Sequence, residues 1–413
     1  MSNPIELTAA NPVSAEKISA PLWLAFAICF IVDALGGTVS TLMSVYLPVV
    51  VNDLLGNVDE QQLSNVSAYI NSLYILGWMV GGFTWGFISD HIGRAKALQL
   101  AIASYGVFTI LTGFATSWEM VVVFRLLSGF GVGGVLVISP VLLSEIFPEK
   151  SKAVFVGILS IGFPVGIFSA GLVNYIVPTW RQGFMIGIIP LIIAILSVWI
   201  LKESEKWKTS KTDKTSSTQS LFAPEHRSNL FKGAVIFGSM LIGLWAIFSW
   251  LPTWVQSLLT DSDGGQQRGL SMMLLGAGGL TGGFFSGWIS NGLGVRKAMI
   301  MCFSACLILS FLLFGLNTSF SGIIYAEIAV LALFFGFSQG LLSVYIPQLF
   351  PTALRATATG FCFNIGRLFT AAAVFFIGAM VSTLGGYGNS LLTFSGIFLV
   401  GLIAIYVTKD KAN

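Results

Sequence analysis

Long apolar runs alternate with short polar hinges along the whole chain. Runs near 22–50, 64–88, 96–116, 119–146, 153–176 and 183–201 form one set. A second set lies near 231–258, 269–290, 297–317, 322–349, 357–383 and 389–407. Between the sets, Lys202 to His226 is rich in Lys, Ser, Thr and Glu, the composition of a solvated linker. A helix needs about 20 mostly apolar residues to cross the hydrocarbon core of a bilayer. The pattern therefore predicts an all-α membrane protein with twelve transmembrane helices. The expected segments are a tail over 1–20, a six-helix bundle over 21–201, a linker over 202–230, a second six-helix bundle over 231–407 and a tail over 408–413. Residues 1–20 have no apolar core of their own and the first run continues past Asp33 to Val51, which reads as a retained span rather than a cleaved signal.

The two sets are related. Gly86–Lys96 reads Gly-Phe-Ile-Ser-Asp-His-Ile-Gly-Arg-Ala-Lys, and Gly287–Lys297 reads Gly-Trp-Ile-Ser-Asn-Gly-Leu-Gly-Val-Arg-Lys, each a hinge between two apolar runs. Phe147-Pro148 at the end of the fourth run answers Phe350-Pro351 at the end of the tenth, a shift of 203 that sets Lys152 on Arg355 and Glu145 on Gln348. Each copy has an even number of spans, so the two lie the same way up, as pseudo-symmetric bundles about an axis along the membrane normal.

Composition agrees with immersion in lipid. Apolar residues make up 55% of the chain and charged ones 9%, where about 25% is usual for soluble domains. The distribution of bases sets an orientation. With the N-terminus in the cytoplasm, 17 of the 21 Lys and Arg fall in cytoplasmic segments, while only Arg181 and Arg268 fall in external loops. That bias predicts cytoplasmic termini in a cell inner membrane. The four cysteines lie inside apolar runs, and Cys302 and Cys306 are expected to pack toward lipid; neither His91 nor His226 belongs to a cluster. No metal, cofactor or nucleic acid is expected, the bilayer is the one macroscopic partner, and a monomer suffices.

With these motifs in hand, the chain resembles the major facilitator superfamily over nearly its whole length. The resemblance rests on the Gly86–Lys96 hinge, on Arg125-Leu-Leu-Ser-Gly129-Phe-Gly131-Val-Gly133-Gly134, and on the ends Ser144-Glu-Ile-Phe-Pro-Glu-Lys and Gln348-Leu-Phe-Pro-Thr-Ala-Leu-Arg355. Asn364-Ile-Gly366-Arg367 is most similar to the metabolite–proton symporters that carry aromatic acids, sialate or other carboxylates, while the fourth-span pattern is shared with sugar porters. The resemblance implies a secondary transporter working by alternating access around a central cavity, not an enzyme. Proton-coupled uptake of a small organic anion is the expectation. A sugar or polyol porter, or a proton-driven exporter of amphipathic compounds, is the alternative.

Ionisable residues inside spans cost about 2.5–3.5 kcal/mol each on insertion scales and mark functional sites when they face a cavity or a partner. Asp33 lies 12 positions beyond Pro21, near mid-depth at about 1.5 Å per residue. In sugar-porter relatives an aspartate of the first span and an arginine of the fourth form the coupling pair, which implies proton coupling by Asp33 with Arg125; a static ion pair locking two helices is the competing reading. Arg367 stands 12 residues beyond Arg355, also near mid-depth. An unpaired guanidinium there wants a carboxylate, which a substrate supplies in bidentate geometry, unless an internal acid or carbonyls hold it permanently. Glu327 is open to a structural ion pair or to a second proton site.

Mid-span polar and aromatic residues complete the expected substrate site: Asn71 and Tyr74 on the second span, Trp245 on the seventh, Gln339 and Tyr345 on the tenth, and Asn364 on the eleventh. The cytoplasmic gate is expected from Asp90, Gly93, Arg94, Lys96, Glu145, Lys152 and Arg355, with Arg94 reaching Glu145 in a pair that forms and breaks as the gate works. Asn291, Val295 and Gln348 replace Asp90, Arg94 and Glu145 in the second half, predicting a weaker lock there.

Overall fold

The computed structural model describes residues 19–56, 59–149, 151–177, 179–210, 221–259, 264–351 and 354–408. Six of the bases counted above, Lys17, Lys150, Lys211, Lys214, Lys409 and Lys411, lie outside them. Among the described residues twelve helices are long and apolar enough to span a bilayer. The first six are Ala20–Leu55, Glu60–Ile92, Arg94–Gly113, Trp118–Ile146, Val154–Ile176 and Trp180–Ile200. The second six are Pro224–Ser257, Gly265–Leu293, Val295–Leu316, Ile323–Gln348, Thr357–Ala379 and Tyr387–Val407. A short helix, Glu205–Ser210, opens the linker. The seventh span thus starts inside the segment assigned to the linker, because Pro224 sits in its first turn, where a missing N–H costs nothing.

Glycine does the packing that hydrophobicity cannot do in lipid. A Cβ on Gly81 would stand 2.0 Å from the Phe130 carbonyl oxygen, and one on Gly282 would stand 2.0 Å from that of Leu333. One on Gly133 would reach 2.2 Å from Trp78 O, and one on Gly336 2.2 Å from Gly279 O. The second span therefore packs backbone to backbone on the fourth as the eighth does on the tenth: the shift of 201 that relates the two hinges links the second and eighth spans, and the shift of 203 links the fourth and tenth. The duplication read from motifs is thus a duplication of contacts. Large apolar side chains such as Trp199, Ile195, Phe231 and Tyr406 remain exposed, as a lipid-facing surface requires.

The hinges at Gly93 and Gly294 lie at one end of the molecule, here called the basic end after Arg94, Lys96, Lys152, Lys202, Arg296 and Lys297. The halves meet toward the opposite end. A Cβ on Gly171 would come 2.4 Å from Gly269 O, and one on Gly378 2.7 Å from Ser64 O. Asn71 Nδ2 donates to Ser249 O at 3.2 Å, and Arg268 Nε donates to Val45 O at 2.9 Å. At the basic end the arrangement differs. The eighth span packs on Gly162–Ile176 rather than on Lys152–Leu159, and Gly157, Gly287 and Gly360 face open space. The contacts named between the halves thus gather toward the end opposite the basic one.

Candidate functional site

Arg367 is the centre of a buried cluster where the halves touch. Its Cζ lies 4.0 Å from the ring centroid of Phe363, one helical turn earlier on the same span. On the other side it lies 4.1 Å from the ring of Trp78, on the second span. The side chain is 3% exposed, and its Nη1 has no hydrogen-bond partner. Two aromatic faces hold a guanidinium by about 0.5–2 kcal/mol each. They do nothing for its N–H groups, and a buried orphan donor costs about 1–3 kcal/mol. Among the described residues no acid lies within ion-pair distance of Arg367.

Aromatic walls extend from Trp78. Phe163, beside the fifth-span proline, stacks on it at 5.5 Å, and Trp245 meets it edge-on at 5.0 Å. Phe248 follows at 5.7 Å from Trp245. Trp78 Nε1, Gln339 Nε2 and Asn364 Oδ1 are also buried without partners. The arrangement offers one cation, neutral hydrogen-bonding groups and flat apolar faces, which together suit a planar or compact organic anion.

Of the predicted residues, Arg367, Asn364, Trp245 and Gln339 are buried or half-buried on the spans that enclose this region. Asn71 and Tyr74 each have partners within the protein. Asn71 holds the seventh span through Ser249 O, while the Tyr74 ring lies 3.8 Å under Arg125 with its hydroxyl 2.6 Å from Ser40 Oγ. Tyr345 is buried farther toward the basic end.

The expected Asp33–Arg125 pair is absent. Arg125 Nη1 donates to Val39 O at 2.8 Å and Nη2 to Ser40 O at 3.4 Å. These carbonyls lie six or seven residues along the first span from Asp33, about 9–10 Å. Arg125 is thus satisfied on a different level of the same helix. Asp33 is 4% exposed, its Oδ1 has no partner, and no base lies within 4 Å of it among the described residues. It packs beside Gly162, whose Cβ position is 3.3 Å from Asp33 Cβ. Tyr105 of the third span donates to the adjacent Val32 O at 3.2 Å. Asp33 therefore sits within the first bundle, one residue away from the Phe163 wall through Gly162.

Among the described residues Glu327 forms no ion pair; Asn317 Nδ2 donates to it at 2.7 Å near the end opposite the basic one. Cys302 and Cys306 are fully buried between helices rather than turned to lipid.

The gate residues form a network inside the first half. Arg94 pairs with Asp90, and its Nε bonds Glu145 Oε1 at 3.1 Å. Lys152 pairs with Glu149, which also accepts from Lys206 at 2.9 Å. Hydrogen bonds from these two lysines hold the Glu149 carboxyl down at about 2. Arg355 Nε bonds locally to Phe350 O at 3.2 Å, and Lys96 is exposed. Among the described residues no ion pair crosses to the second half, so the expected lock is a clamp on three helices of one bundle. Glu203, which no motif announced, completes it: the carboxylate accepts from Arg94 N at 2.7 Å and Ala95 N at 3.2 Å, capping the third span. Trp207 Nε1 donates to Asp90 O at 2.9 Å, so the start of the linker is fastened to the same hinge.

Gly93 is required for its backbone, and a side chain there would also push the Glu203 carboxylate off the N–H groups it caps. Its φ of +106° is a region that side chains rarely adopt, and a Cβ there would stand 2.2 Å from Glu203 Oε2. Gly294 has φ +80° but open space around it. We predict that Gly294→Ala lowers stability in detergent by roughly 1–3 kcal/mol from backbone strain alone, and Gly93→Ala by about 1 kcal/mol more, from strain plus the loss of the Glu203 cap. Equal losses in thermal unfolding would rule out the Glu203 contribution.

The sequence signature of the Major Facilitator Superfamily covers residues 22–374. A probable 4-methylmuconolactone transporter of Cupriavidus pinatubonensis is 29% identical, over 76% of this chain and 74% of its own. The cis,cis-muconate transport protein of Acinetobacter baylyi is 26% identical over 85% and 87%. The inward-open structure of the xylose transporter from E. coli superposes with a TM-score of 0.77 over 95% of this chain and 98% of that one, at 17% identity. That likeness concerns the fold.

Proposed function

Since this chain belongs to the Major Facilitator Superfamily and is a multi-pass secondary transporter rather than an enzyme, we propose that it carries a small organic carboxylate inward together with a proton. One observation carries the reading: Arg367 lies buried at the junction of the halves with an unpaired N–H and, among the described residues, no acid within ion-pair distance. A carboxylate arriving with the substrate supplies both the missing charge and the missing acceptor. The relatives named for muconate and methylmuconolactone are in keeping with this chemistry.

The basic end faces the cytoplasm in this reading, by the excess of Lys and Arg there. The structure is then the inward-facing state of a monomer in the cell inner membrane, its two six-helix halves rocking about the site. Asp33 holds the proton. A buried carboxylate without a cation or donors costs several kcal/mol, whereas the neutral acid fits its surroundings. When the halves rock, a change of water access at Asp33 lets the proton leave or return. Arg125 fixes the first span at Val39 and Ser40 and sets the level at which this happens.

Arg268 closes the outer side. It lies in the first turn of the eighth span and is 2% exposed, so it is not the loop base expected from the sequence. Its bond to Val45 O, with one to Gln256, ties both halves beside a cleft of about 460 Å³ lined by Pro48, Asn52 and Asp53. Arg268→Ala is predicted to raise outward opening. A Ser249→Cys reporter, whose position is 3% exposed here, should then react several-fold faster with an impermeant maleimide. An unchanged rate would remove Arg268 from the outer closure.

The direct test is uptake into proteoliposomes of carboxylates, sugars and amphipathic cations, with and without a pH gradient. Gradient-driven accumulation of a carboxylate is the expected outcome; accumulation of a sugar or extrusion of a cation alone would overturn the reading.

A further inference from the structure

Two unmatched polar atoms converge on one point in the Arg367 cluster. Asn364 Nδ2 donates to Gly360 O at 3.0 Å, which turns the amide so that Oδ1 faces away from its own helix. That Oδ1 is buried with no partner, as is Arg367 Nη1. The two side chains are 8% and 3% exposed. Both atoms face Gly82 of the second span: the position of a Cβ there is 3.1 Å from Asn364 Oδ1 and 3.6 Å from Arg367 Nη1. The bare glycine lets a charged donor and a neutral acceptor, both unpaired, stand on either side of one short stretch of the second span.

A plain carboxylate fills half of that demand. It is acceptor-only, so it satisfies Arg367 and turns lone pairs toward the lone pairs of Asn364. A ligand carrying an O–H beside its carboxylate satisfies both groups at once. Resting on the reading that Arg367 takes the substrate carboxylate, we propose that Asn364 and Gly82 form a specificity subsite for a hydroxyl on the carbon next to that carboxylate. The carried substrate is then a 2-hydroxy acid or a close donor-bearing analogue. A buried acceptor left without a donor is the source of the discrimination, because leaving a polar group unpaired costs more than making the bond gains.

The test is calorimetric binding to the purified full-length protein of matched acids: mandelate against phenylacetate, lactate against propionate and malate against succinate. The hydroxylated member of each pair that binds is expected to be about tenfold tighter. In Asn364→Leu that ratio falls to about one. Gly82→Ala, whose methyl occupies the meeting point, lowers it as well and guards against an artefact of one variant. Acids that bind without any hydroxyl preference would overturn the subsite while leaving the Arg367 reading in place. A preference that survives Asn364→Leu would also overturn it. If no acid of either kind binds, the Arg367 reading falls and the subsite with it.

Discussion

Replacing Arg367 with Gln is expected to weaken carboxylate binding by a hundredfold or more. The substitution keeps a polar side chain of moderate length but removes the charge, and truncating one partner of a buried, hydrogen-bonded charge pair costs about 2–5 kcal/mol. Arg367→Lys is the sharper comparison. Lysine keeps the charge but loses the flat guanidinium that stacks between Trp78 and Phe363, together with the fork that matches a carboxylate. We expect it to bind about tenfold more weakly, since each 1.4 kcal/mol is a factor of ten. Binding constants for wild type and both variants decide the matter. An Arg367→Gln protein that binds the acid as tightly as wild type would show that the cation serves the fold and not the solute.

The second large effect is expected at Asp33. With one proton moving inward per carboxylate, a pH gradient of one unit, acid outside, is worth about 1.4 kcal/mol. It drives roughly tenfold accumulation of the acid. Asp33→Asn keeps the shape of the neutral acid but cannot release its proton. The variant should therefore bind the substrate and exchange it across the membrane, with accumulation indifferent to the gradient. The sign is fixed by the direction of coupling: raising the internal pH increases uptake by wild type and leaves the variant unmoved. Gradient-driven accumulation by Asp33→Asn in sealed vesicles would end the proposal that this carboxyl is the coupling site.

Both predictions begin from residues that a reading of the chain singles out, because an ionised group inside an apolar run is rare and costly. What surrounds them was less legible. Trp78 and Phe163 carry no charge to mark them, yet they wall the Arg367 cluster. Trp78 follows Tyr74 by four residues, so a helical-face count would have placed both on one stripe of the second span. Phe363 precedes Arg367 by four and was open to the same count. Glu203 had no such signal, since it is a solvated linker residue until the third span's first N–H groups meet it.

The linear order of residues determined the twelve spans, the duplicated halves and the burial of charge at Asp33, Arg125 and Arg367. Hydropathy and periodicity act over one helix length, and membrane insertion depends on little else. Only the tertiary structure decided which partner each charge has. Arg125 reaches Val39 and Ser40 rather than Asp33 because the first and fourth spans pack at that depth, a matter of how two helices lie against each other. In the same way Asn71 became a bond to the seventh span, the Arg94 network stayed within one bundle, and Arg268 became a bond between halves. A side chain's depth follows from its place in its own span, but its partner depends on the packing of another.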